Sequence, residues 1–324
     1  MAKGLNGLAT ANETIPDLAQ QLAEILKGLL AAQKHLSPKW FYDERGSELF
    51  DRICTLPEYY PTRTELSIMS EHLDEVAKLV GPRAAVIEFG AGSNLKVRQL
   101  LDALDEPAAY VPVEISADYL LKQAEDLARD YPNVHIQPVF ADFTRPFELP
   151  AHPVTPDRNL VFFPGSTIGN FTRGEARDLL GVMRAEAKDD GALLIGVDLE
   201  KDPAILHAAY NDSEGVTAEF NLNVLHRLNR ELGANFDVSA FRHEAVYDEE
   251  NGRIEMRLVS LADQVVTIAG RRIPFRHGEF IITEYSHKYS IDGFQAMARD
   301  AGFEPVRVWT DERELFSVHY MEAA

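Results

Sequence analysis

The residues best suited to chemistry begin with a glycine turn after an apolar, strand-like run. Residues 84–89 form the run, and Gly90 and Gly92 follow it before a helical pattern starts. A strand that leads through glycines into a helix brings backbone N–H groups close to a nucleotide-like ligand. A dinucleotide fold needs a third glycine three positions after Gly92, where this chain has Leu95. The turn therefore predicts a nucleotide-related cofactor and disfavours a nicotinamide dinucleotide.

Acidic residues follow the next two strand-like runs. Glu114 lies 24 residues after Gly90, where a carboxylate can accept both hydroxyls of a ribose. Asp142 can accept from an adenine amino group while Phe143 packs against the ring. Lys96 could pair with the carboxylate of an amino-acid tail. Each has a structural alternative, namely a solvated lysine, a strand-end carboxylate in water or a helix cap, but their order after successive strands favours a cofactor site.

Two further stretches carry polar groups suited to a small substrate. The fourth strand-like run leads into Gly165, a Ser-Thr pair and Asn170, whose amide can hold a carboxylate or an amine. Asn170 could instead cap the following helix. In a later alternating run, Glu284 and Ser286 share one strand face. If Glu284 faces a cleft it needs a cationic or N–H-bearing partner, because a buried unpaired carboxylate is costly; otherwise it lies in solvent.

Composition restricts the class of partner. The chain has 324 residues, and 52 acidic against 32 basic side chains give a formal net charge of −20. Such a surface repels nucleic acid and anionic membranes, and no apolar run is long enough to span a bilayer or form a signal-peptide core. The single cysteine, Cys54, is interpreted as a small buried hydrophobe, and His287 has no second metal ligand at useful spacing. We expect a cytoplasmic protein that binds no nucleic acid, membrane or metal.

Alternating strand and helix patterns must position these residues. The strand-like runs lie at 84–89, 109–115, 134–139, 159–164 and 192–197, and the helical patterns lie at 94–105, 117–130 and 173–188. This alternation predicts a parallel sheet covered by helices on both faces, with ligands at the carboxyl ends of its strands.

The remaining segments have a different pattern. A helix is predicted to start at 14–17, and Thr62-x-x-Glu65 reads as a capping box that opens another helix. Helical patterns at 203–210 and 217–232 precede strand-like runs at 241–247, 254–262, 265–268 and 280–289, with an Asn-Gly hairpin signal at 251–252. A helix at 291–301 and strands at 306–310 and 315–320 then return to the first sheet.

Four longer motifs are more specific than the glycine turn. They are Trp-Phe-Tyr-Asp at 40–43, Leu-Pro-Glu-Tyr-Tyr-Pro-Thr-Arg-Thr-Glu at 56–65, Gly-Ser-Thr-Ile-Gly-Asn at 165–170, and 215–225. Together they resemble the histidine Nα-methyltransferases of ergothioneine biosynthesis, from about residue 37 onward. The resemblance implies an α/β fold, a Rossmann-like class I methyltransferase sheet with an inserted α+β substrate-binding lobe. It also implies that S-adenosyl-L-methionine trimethylates the α-amine of L-histidine, through the mono- and dimethylated forms, to give hercynine.

The resemblance also implies residue roles. For the cofactor these residues are Gly90, Gly92, Lys96, Glu114, Asp142 and Phe143. The family has aspartate where this chain has Glu114, and the longer acid should still reach a ribose. The residues implied for catalysis are Tyr42, Gly165 and Asn170.

On the substrate side the resemblance assigns each contact to a part of histidine. Asn170 and Tyr210 would clamp the carboxylate. Tyr59, Glu284 and Ser286 would face the imidazole, and Met256 would pack on the ring. Tyr42, Phe50 and Gly165 would line the methylated amine. Because other amino acids would leave Glu284 unpaired, this carboxylate would provide side-chain selection.

We predict two lobes and a monomer. The substrate lobe comprises 14–62 and 201–288, and the methyltransferase domain comprises 63–200 and 289–324. The alternatives are an N-methyltransferase for another amino acid or amine, and a non-catalytic protein that binds S-adenosylmethionine.

Overall fold

The computed structural model describes residues 9–10, 18–92, 94–115, 117–147, 149 and 154–324. The helix start predicted at 14–17 lies outside these residues. The described α-helices are α1 (Leu18–Leu29), α2 (Glu44–Ile53), α3 (Tyr60–Val80), α4 (Leu95–Ala103), α5 (Ala117–Asp130), α6 (Arg173–Ala187), α7 (Pro203–Tyr210), α8 (Val216–Leu232) and α9 (Ile291–Asp300). Short 3₁₀ helices span Pro38–Phe41, Thr167–Asn170 and Val238–Ala240.

The described strands form one large sheet and two smaller ones. In chain order they are β1 (Ala9–Thr10), β2 (Lys34–His35), β3 (Ala84–Phe89), β4 (Ala109–Glu114), β5 (His135–Ile136), β6 (Val139–Phe140), β7 (Arg158–Phe163), β8 (Ala192–Asp198), β9 (Phe241–Asp248), β10 (Arg253–Ser260), β11 (Gln264–Ile268), β12 (Arg271–Phe275), β13 (Phe280–His287), β14 (Phe303–Thr310) and β15 (Phe316–Ala323).

The large sheet has the order β1-β6-β4-β3-β7-β8-β15-β14, and β5 also pairs with β4. Strands β4, β3, β7 and β8 are parallel, whereas β15 is antiparallel to both β8 and β14. The chain order reverses at β3, which lies between β4 and β7. Parallel sheets bind ligands at such a switch point, beyond the carboxyl ends of the strands. The predicted parallel sheet is confirmed.

The strands of this sheet are buried on both faces, which explains their continuous apolar sequence. Val86 packs into a core cluster shared with α3, α4 and α5, and its neighbour Ile87 packs into a cluster shared with α6 and α9. Every residue of β3 and of β8 is buried. Successive side chains of each strand therefore point alternately toward the helices on one face and the helices on the other.

One strand prediction was too simple. The run at 134–139 was predicted as a single strand, but it forms two short strands, β5 and β6, that both pair with β4. Gln137 and Pro138 separate them, and proline has no N–H to continue a ladder.

The second sheet has the order β2-β13-β10-β9. Its apolar face shares a core cluster with α1, α2, α7 and α8. The hairpin β11–β12 adds a third small sheet. Strand β12 escaped prediction because Arg271, Arg272 and Pro274 interrupt its apolar pattern.

The predicted capping box at Thr62 is wrong. Helix α3 begins two residues earlier, at Tyr60, with Pro61 in its first turn, where proline costs no hydrogen bond. Thr62 donates to the Sγ of Cys54 at 3.3 Å, and Glu65 turns inward, with 1 % of its surface exposed. The polar side chains of this motif therefore serve tertiary contacts rather than the helix end.

A backbone bridge joins the ends of two strands, one from each of the two larger sheets. Tyr289, just after β13, forms a parallel bridge to Leu199, just after β8. The carboxyl end of β8 thus lies beside the end of the strand that carries Glu284 and Ser286. Within the described ranges, no helix is long and apolar enough to cross a membrane.

Candidate active site

The glycine turn after β3 packs against the aromatic ring that follows β6. Gly90 has φ +70° and donates its N–H to the Val113 carbonyl at 2.9 Å. A Cβ on Gly90 would lie 3.3 Å from the ring of Phe143, whereas a Cβ on Gly92 would meet, of the residues that the structure describes, only the Gly90 carbonyl, at 4.0 Å. The turn is therefore closed on one side by Phe143 and open on the other.

The two predicted ribose and adenine acids come from neighbouring strand ends. Glu114 ends β4 opposite Phe140 of β6, and Asp142 follows two residues later. Glu114 accepts the N–H of Ile115 at 2.8 Å. Asp142 accepts from both the N–H and the hydroxyl of Thr144, at 3.1 and 2.6 Å. The structure therefore brings both carboxylates to the same edge of the sheet as Gly90.

Lys96 has a partner that the sequence analysis missed. Its Nζ lies 2.5 Å from Oε2 of Glu65, and a Cβ on Gly165 would be 3.4 Å from that Nζ. Glu65 also accepts the N–H of Gly165 through both oxygens. The lysine predicted for the cofactor therefore touches the loop predicted for the substrate.

An aromatic wall lines the substrate side. Tyr42 contacts Phe50 edge-on, with ring centroids 5.8 Å apart. Phe50 contacts Tyr59 at 6.3 Å, and Tyr59 contacts Tyr210 at 6.2 Å. These four rings come from the segment before α2, from α2, from the start of α3 and from the end of α7. The fold therefore brings the Tyr210 ring against three rings from residues 42–59.

Glu284 lies near enough to Tyr42, Tyr59 and Tyr210 for its charge to raise their pKa values. The amide of Asn170 donates to it at 3.4 Å, and Met256 lies opposite it on β10. Loss of water around the carboxyl raises the pKa of Glu284 to about 7, against the opposing charge of Lys288. Asn170 does not cap α6, because Thr172 forms that capping box. A partly buried carboxylate with one long hydrogen bond is suited to receive an N–H from a ligand.

Ser286 and Tyr210 are joined to each other. The two hydroxyl oxygens are 2.8 Å apart, and both accept from the Nζ of Lys288. Lys288 in turn pairs with Asp198 at 2.7 Å. The sequence contained signals for both missed residues: Asp198 ends β8 as Glu114 ends β4, and Lys288 continues the alternating face of Glu284 and Ser286.

The two halves of the site meet at Tyr42. Its pKa is raised well above the usual value for tyrosine by loss of water, and then by the negative charges of Glu284 and, more weakly, Glu114. One carboxylate comes from the predicted substrate side and the other from the predicted cofactor side. Tyr42 is 40 % exposed, and its raised pKa keeps it a neutral phenol.

His287 and Cys54 serve the structure. His287 is buried, its Nδ1 lies 3.0 Å from the Gly169 carbonyl, and burial lowers its pKa. Burial raises the pKa of the Cys54 thiol, which disfavours the thiolate that a nucleophile requires. Among the described residues, no group of three or more His, Cys, Asp or Glu side chains could hold a metal ion.

The sheet and the site together define a class of protein. A parallel sheet that reverses at β3, a glycine turn after that strand, acids after the next strands and an antiparallel last strand are those of a Rossmann-like class I methyltransferase.

Comparison with known proteins identifies the family. Residues 21–323 match the model of the S-adenosylmethionine-dependent, histidine-specific methyltransferases. The chain is 38 % identical to histidine N-alpha-methyltransferase of Mycolicibacterium smegmatis, over 94 % of this chain and 96 % of that protein. It is 42 % identical to the Mycobacterium tuberculosis protein of the same name, over 89 % of this chain and 90 % of that protein. Ergothioneine biosynthesis protein 1 of Neurospora crassa is 32 % identical over 96 % of this chain. That protein is longer, and the match covers 37 % of it.

The chain belongs to this family of histidine-specific methyltransferases, and it is an S-adenosylmethionine-dependent enzyme. Its residues fit that cofactor. The space beside Gly92 would let a ligand come close to the backbone of the turn. The ring of Phe143, next to Gly90, is of a type that can pack against adenine. Glu114 and Asp142 supply acceptors for hydroxyl and amino groups.

Proposed function

We propose that this enzyme methylates the α-amine of L-histidine three times in succession and releases hercynine for ergothioneine biosynthesis. S-adenosylmethionine, when bound, supplies a methyl group on a sulfonium for in-line displacement by an amine. Gly90, Gly92, Lys96, Glu114, Asp142 and Phe143 would hold it. The proposed acceptors are histidine and its mono- and dimethylated forms.

The main support for this proposal is the weak hydrogen bonding and the raised pKa of the Glu284 carboxyl. Within the described part of the chain this carboxyl has one long hydrogen bond, from Asn170 at 3.4 Å, and its pKa is raised to about 7 by loss of water. An imidazole N–H would satisfy it, whereas an aliphatic side chain would leave it unpaired. Tyr59 and Ser286 would contact the same imidazole, and Met256, opposite Glu284, would pack on its ring.

The other end of the substrate would meet neutral donors. We assign its carboxylate to the amide of Asn170 and the hydroxyl of Tyr210. Tyr42, Phe50 and Gly165 would surround the amine, which must be unprotonated to attack. Aromatic faces suit an amine that becomes a permanent cation and loses its hydrogen-bond donors. Positioning would supply most of the acceleration, since solvent can take the amine proton.

We also propose a division into two lobes, with the substrate lobe formed by 14–62 and 201–288. Two observations support it: the second sheet has its own core cluster with α1, α2, α7 and α8, and the large sheet has separate clusters on its two faces. Since α3 packs on β15 of the large sheet, the boundary would lie near Tyr60.

The test is a substrate screen with mass-spectrometric detection. Purified protein is incubated with S-adenosylmethionine and each of the standard amino acids, and products are examined for one, two and three added methyl groups. We expect the trimethylated product from histidine alone. Efficient methylation of another amino acid, with histidine unchanged, would overturn the proposal. Glu284→Ala should reduce the preference for histidine over tryptophan, the next aromatic N–H donor.

A further inference from the structure

Lys288 is a buried lysine that the reaction as described does not use. Its residue is 0 % exposed. An ammonium has three donors and no acceptor, and Lys288 uses all three: Oδ2 of Asp198 at 2.7 Å, Oγ of Ser286 at 2.8 Å and the hydroxyl of Tyr210 at 3.1 Å. A charge so fully enclosed is costly unless each donor is satisfied. Here each donor is satisfied.

Lys288 occupies a lone pair on each of two hydroxyl oxygens. Tyr210 and Ser286 both accept from Lys288, and their oxygens are also 2.8 Å from each other. One of their two protons lies in that shared hydrogen bond, so the other is available to a ligand. Tyr210 contacts the aromatic wall through Tyr59, and Ser286 shares its strand face with Glu284. The spare proton is therefore offered on the side of the proposed substrate.

Asp198 connects this group to the methyltransferase sheet. Its backbone N–H donates to Oγ of Ser166 at 2.9 Å, and its carbonyl accepts from Tyr289 at 3.1 Å. Its carboxylate also accepts from Lys201 at 2.6 Å and from the hydroxyl of Tyr60 at 2.8 Å. Lys288 is thus held from the end of β8, beside the loop that carries Gly165 and Asn170.

We infer that Lys288, anchored by Asp198, is a positioning residue that holds Tyr210 so that its hydroxyl, with Ser286 donating to its oxygen, donates to the carboxylate of the amino-acid substrate. The inference rests on the proposed role of Tyr210. A carboxylate only accepts hydrogen bonds, so it needs a hydroxyl that donates. Without Lys288, the lone pair on each hydroxyl oxygen that now accepts from the ammonium would be free to turn toward the substrate.

Lys201 gives a matched control. Like Lys288 it pairs with Asp198, but its other partners are Tyr60 and the Leu199 carbonyl. Removing either lysine leaves Asp198 paired with the remaining one, so neither change leaves the carboxylate alone. Lys288→Met and Lys201→Met therefore remove the same charge from the same partner, but only the first removes donors from Tyr210 and Ser286.

The experiment compares KM and kcat for histidine, the Kd of S-adenosylhomocysteine and the thermal unfolding of both variants. We expect Lys288→Met to raise KM for histidine about tenfold or more, as expected for the loss of a charge-assisted hydrogen bond, with kcat and cofactor affinity changed less than about threefold. Lys201→Met should raise KM less than about threefold. Equal KM values in the two variants would overturn the inference.

A double variant separates positioning from packing. If Lys288 acts through Tyr210, Lys288→Met in a Tyr210→Phe background should add little to the rise in KM that Tyr210→Phe causes. If the two substitutions instead multiply each other's effect on KM, Lys288 acts independently of Tyr210, and the inference is overturned. Should Lys288→Met not fold, Lys288→Gln retains two donors and takes its place. Failure of both variants to fold would assign Lys288 to stability alone. Absence of histidine turnover by the parent enzyme would instead refute the proposed function.

Discussion

Glu65 accepts the backbone N–H of Gly165 through both carboxylate oxygens, at 3.0 and 2.9 Å. The same carboxylate pairs with Lys96 at 2.5 Å. One buried side chain of α3 thus joins the first residue of the proposed substrate loop to the lysine proposed for the cofactor. Glu65 connects the two proposed binding regions by hydrogen bonds and an ion pair. The first two predictions concern this residue.

Glu65→Gln should destabilise the fold. Glutamine can still accept from Gly165, but the ion pair is lost, and Lys96 is left with only 15 % of its side chain exposed. We expect the free energy of unfolding to fall by about 3 kcal/mol, measured by urea denaturation. Glu214→Gln is the control, because the pair of Glu214 with Arg52 is half exposed and should contribute less than about 1 kcal/mol. If Glu65→Gln and Glu214→Gln lower the free energy of unfolding by the same amount, the buried Glu65–Lys96 pair does not stabilise the fold more than an exposed pair does.

Gly196→Ala should also destabilise the fold. A Cβ at this position would lie 2.0 Å from Oε1 of Glu65, so the carboxylate would have to move away from Gly165. We expect a loss of about 1–3 kcal/mol and a lower kcat/KM for histidine. Gly181→Ala, on the exposed face of α6 with no described residue within 4 Å of the new Cβ, should raise stability by about 0.5–1 kcal/mol. Calorimetric unfolding of both variants tests the contrast, and a neutral Gly196→Ala would contradict the crowding.

Gly90→Ala should weaken cofactor binding. Gly90 has φ +70° and its Cβ would lie 3.3 Å from Phe143, whereas Gly278 has φ +81° with nothing within 4 Å. Both substitutions should cost about 1–2 kcal/mol of stability, because the left-handed conformation disfavours a Cβ. Titration calorimetry with S-adenosylhomocysteine should show at least about a tenfold weaker Kd for Gly90→Ala alone. An equal loss of affinity in Gly278→Ala would indicate a global effect.

Glu284→Gln should make the protein more stable at high pH. The unfolded carboxyl ionises near its usual pKa of 4.5, but in the folded protein loss of water raises the pKa of Glu284 to about 7. Between these values the folded state binds more protons, so this group lowers stability as the pH rises and its full cost is present above pH 7.

The difference in unfolding free energy between Glu284→Gln and the parent should therefore be near zero at pH 4.5 and grow to about 3 kcal/mol by pH 8. Denaturation at a series of pH values measures it. The control Glu214→Gln, with 54 % of its side chain exposed, should stay within about 0.5 kcal/mol throughout. A difference for Glu284→Gln that does not vary with pH would refute the shifted ionisation.

Local pattern was sufficient for the parts of the site that lie at strand ends. Glu114 and Asp142 were found because each follows an apolar run, and the carboxyl ends of parallel strands converge. Glu284 and Ser286 were placed on one face by the period-2 geometry of a strand. The same rules applied to Asp198 and Lys288 would have found them, since one ends β8 and the other continues the face of Ser286.

The sequence by itself determined the parallel sheet, the glycine turn and the family, because these depend on residue order over short windows and on contiguous motifs. Only the tertiary structure decided what Glu65 and Lys288 contact. The motif at Thr62 predicted a local cap, yet Glu65 binds Gly165, 100 residues away. Lys288 binds Tyr210, 78 residues away. A buried charge selects whichever partner the packed chain brings within hydrogen-bond distance, and no local periodicity encodes that choice.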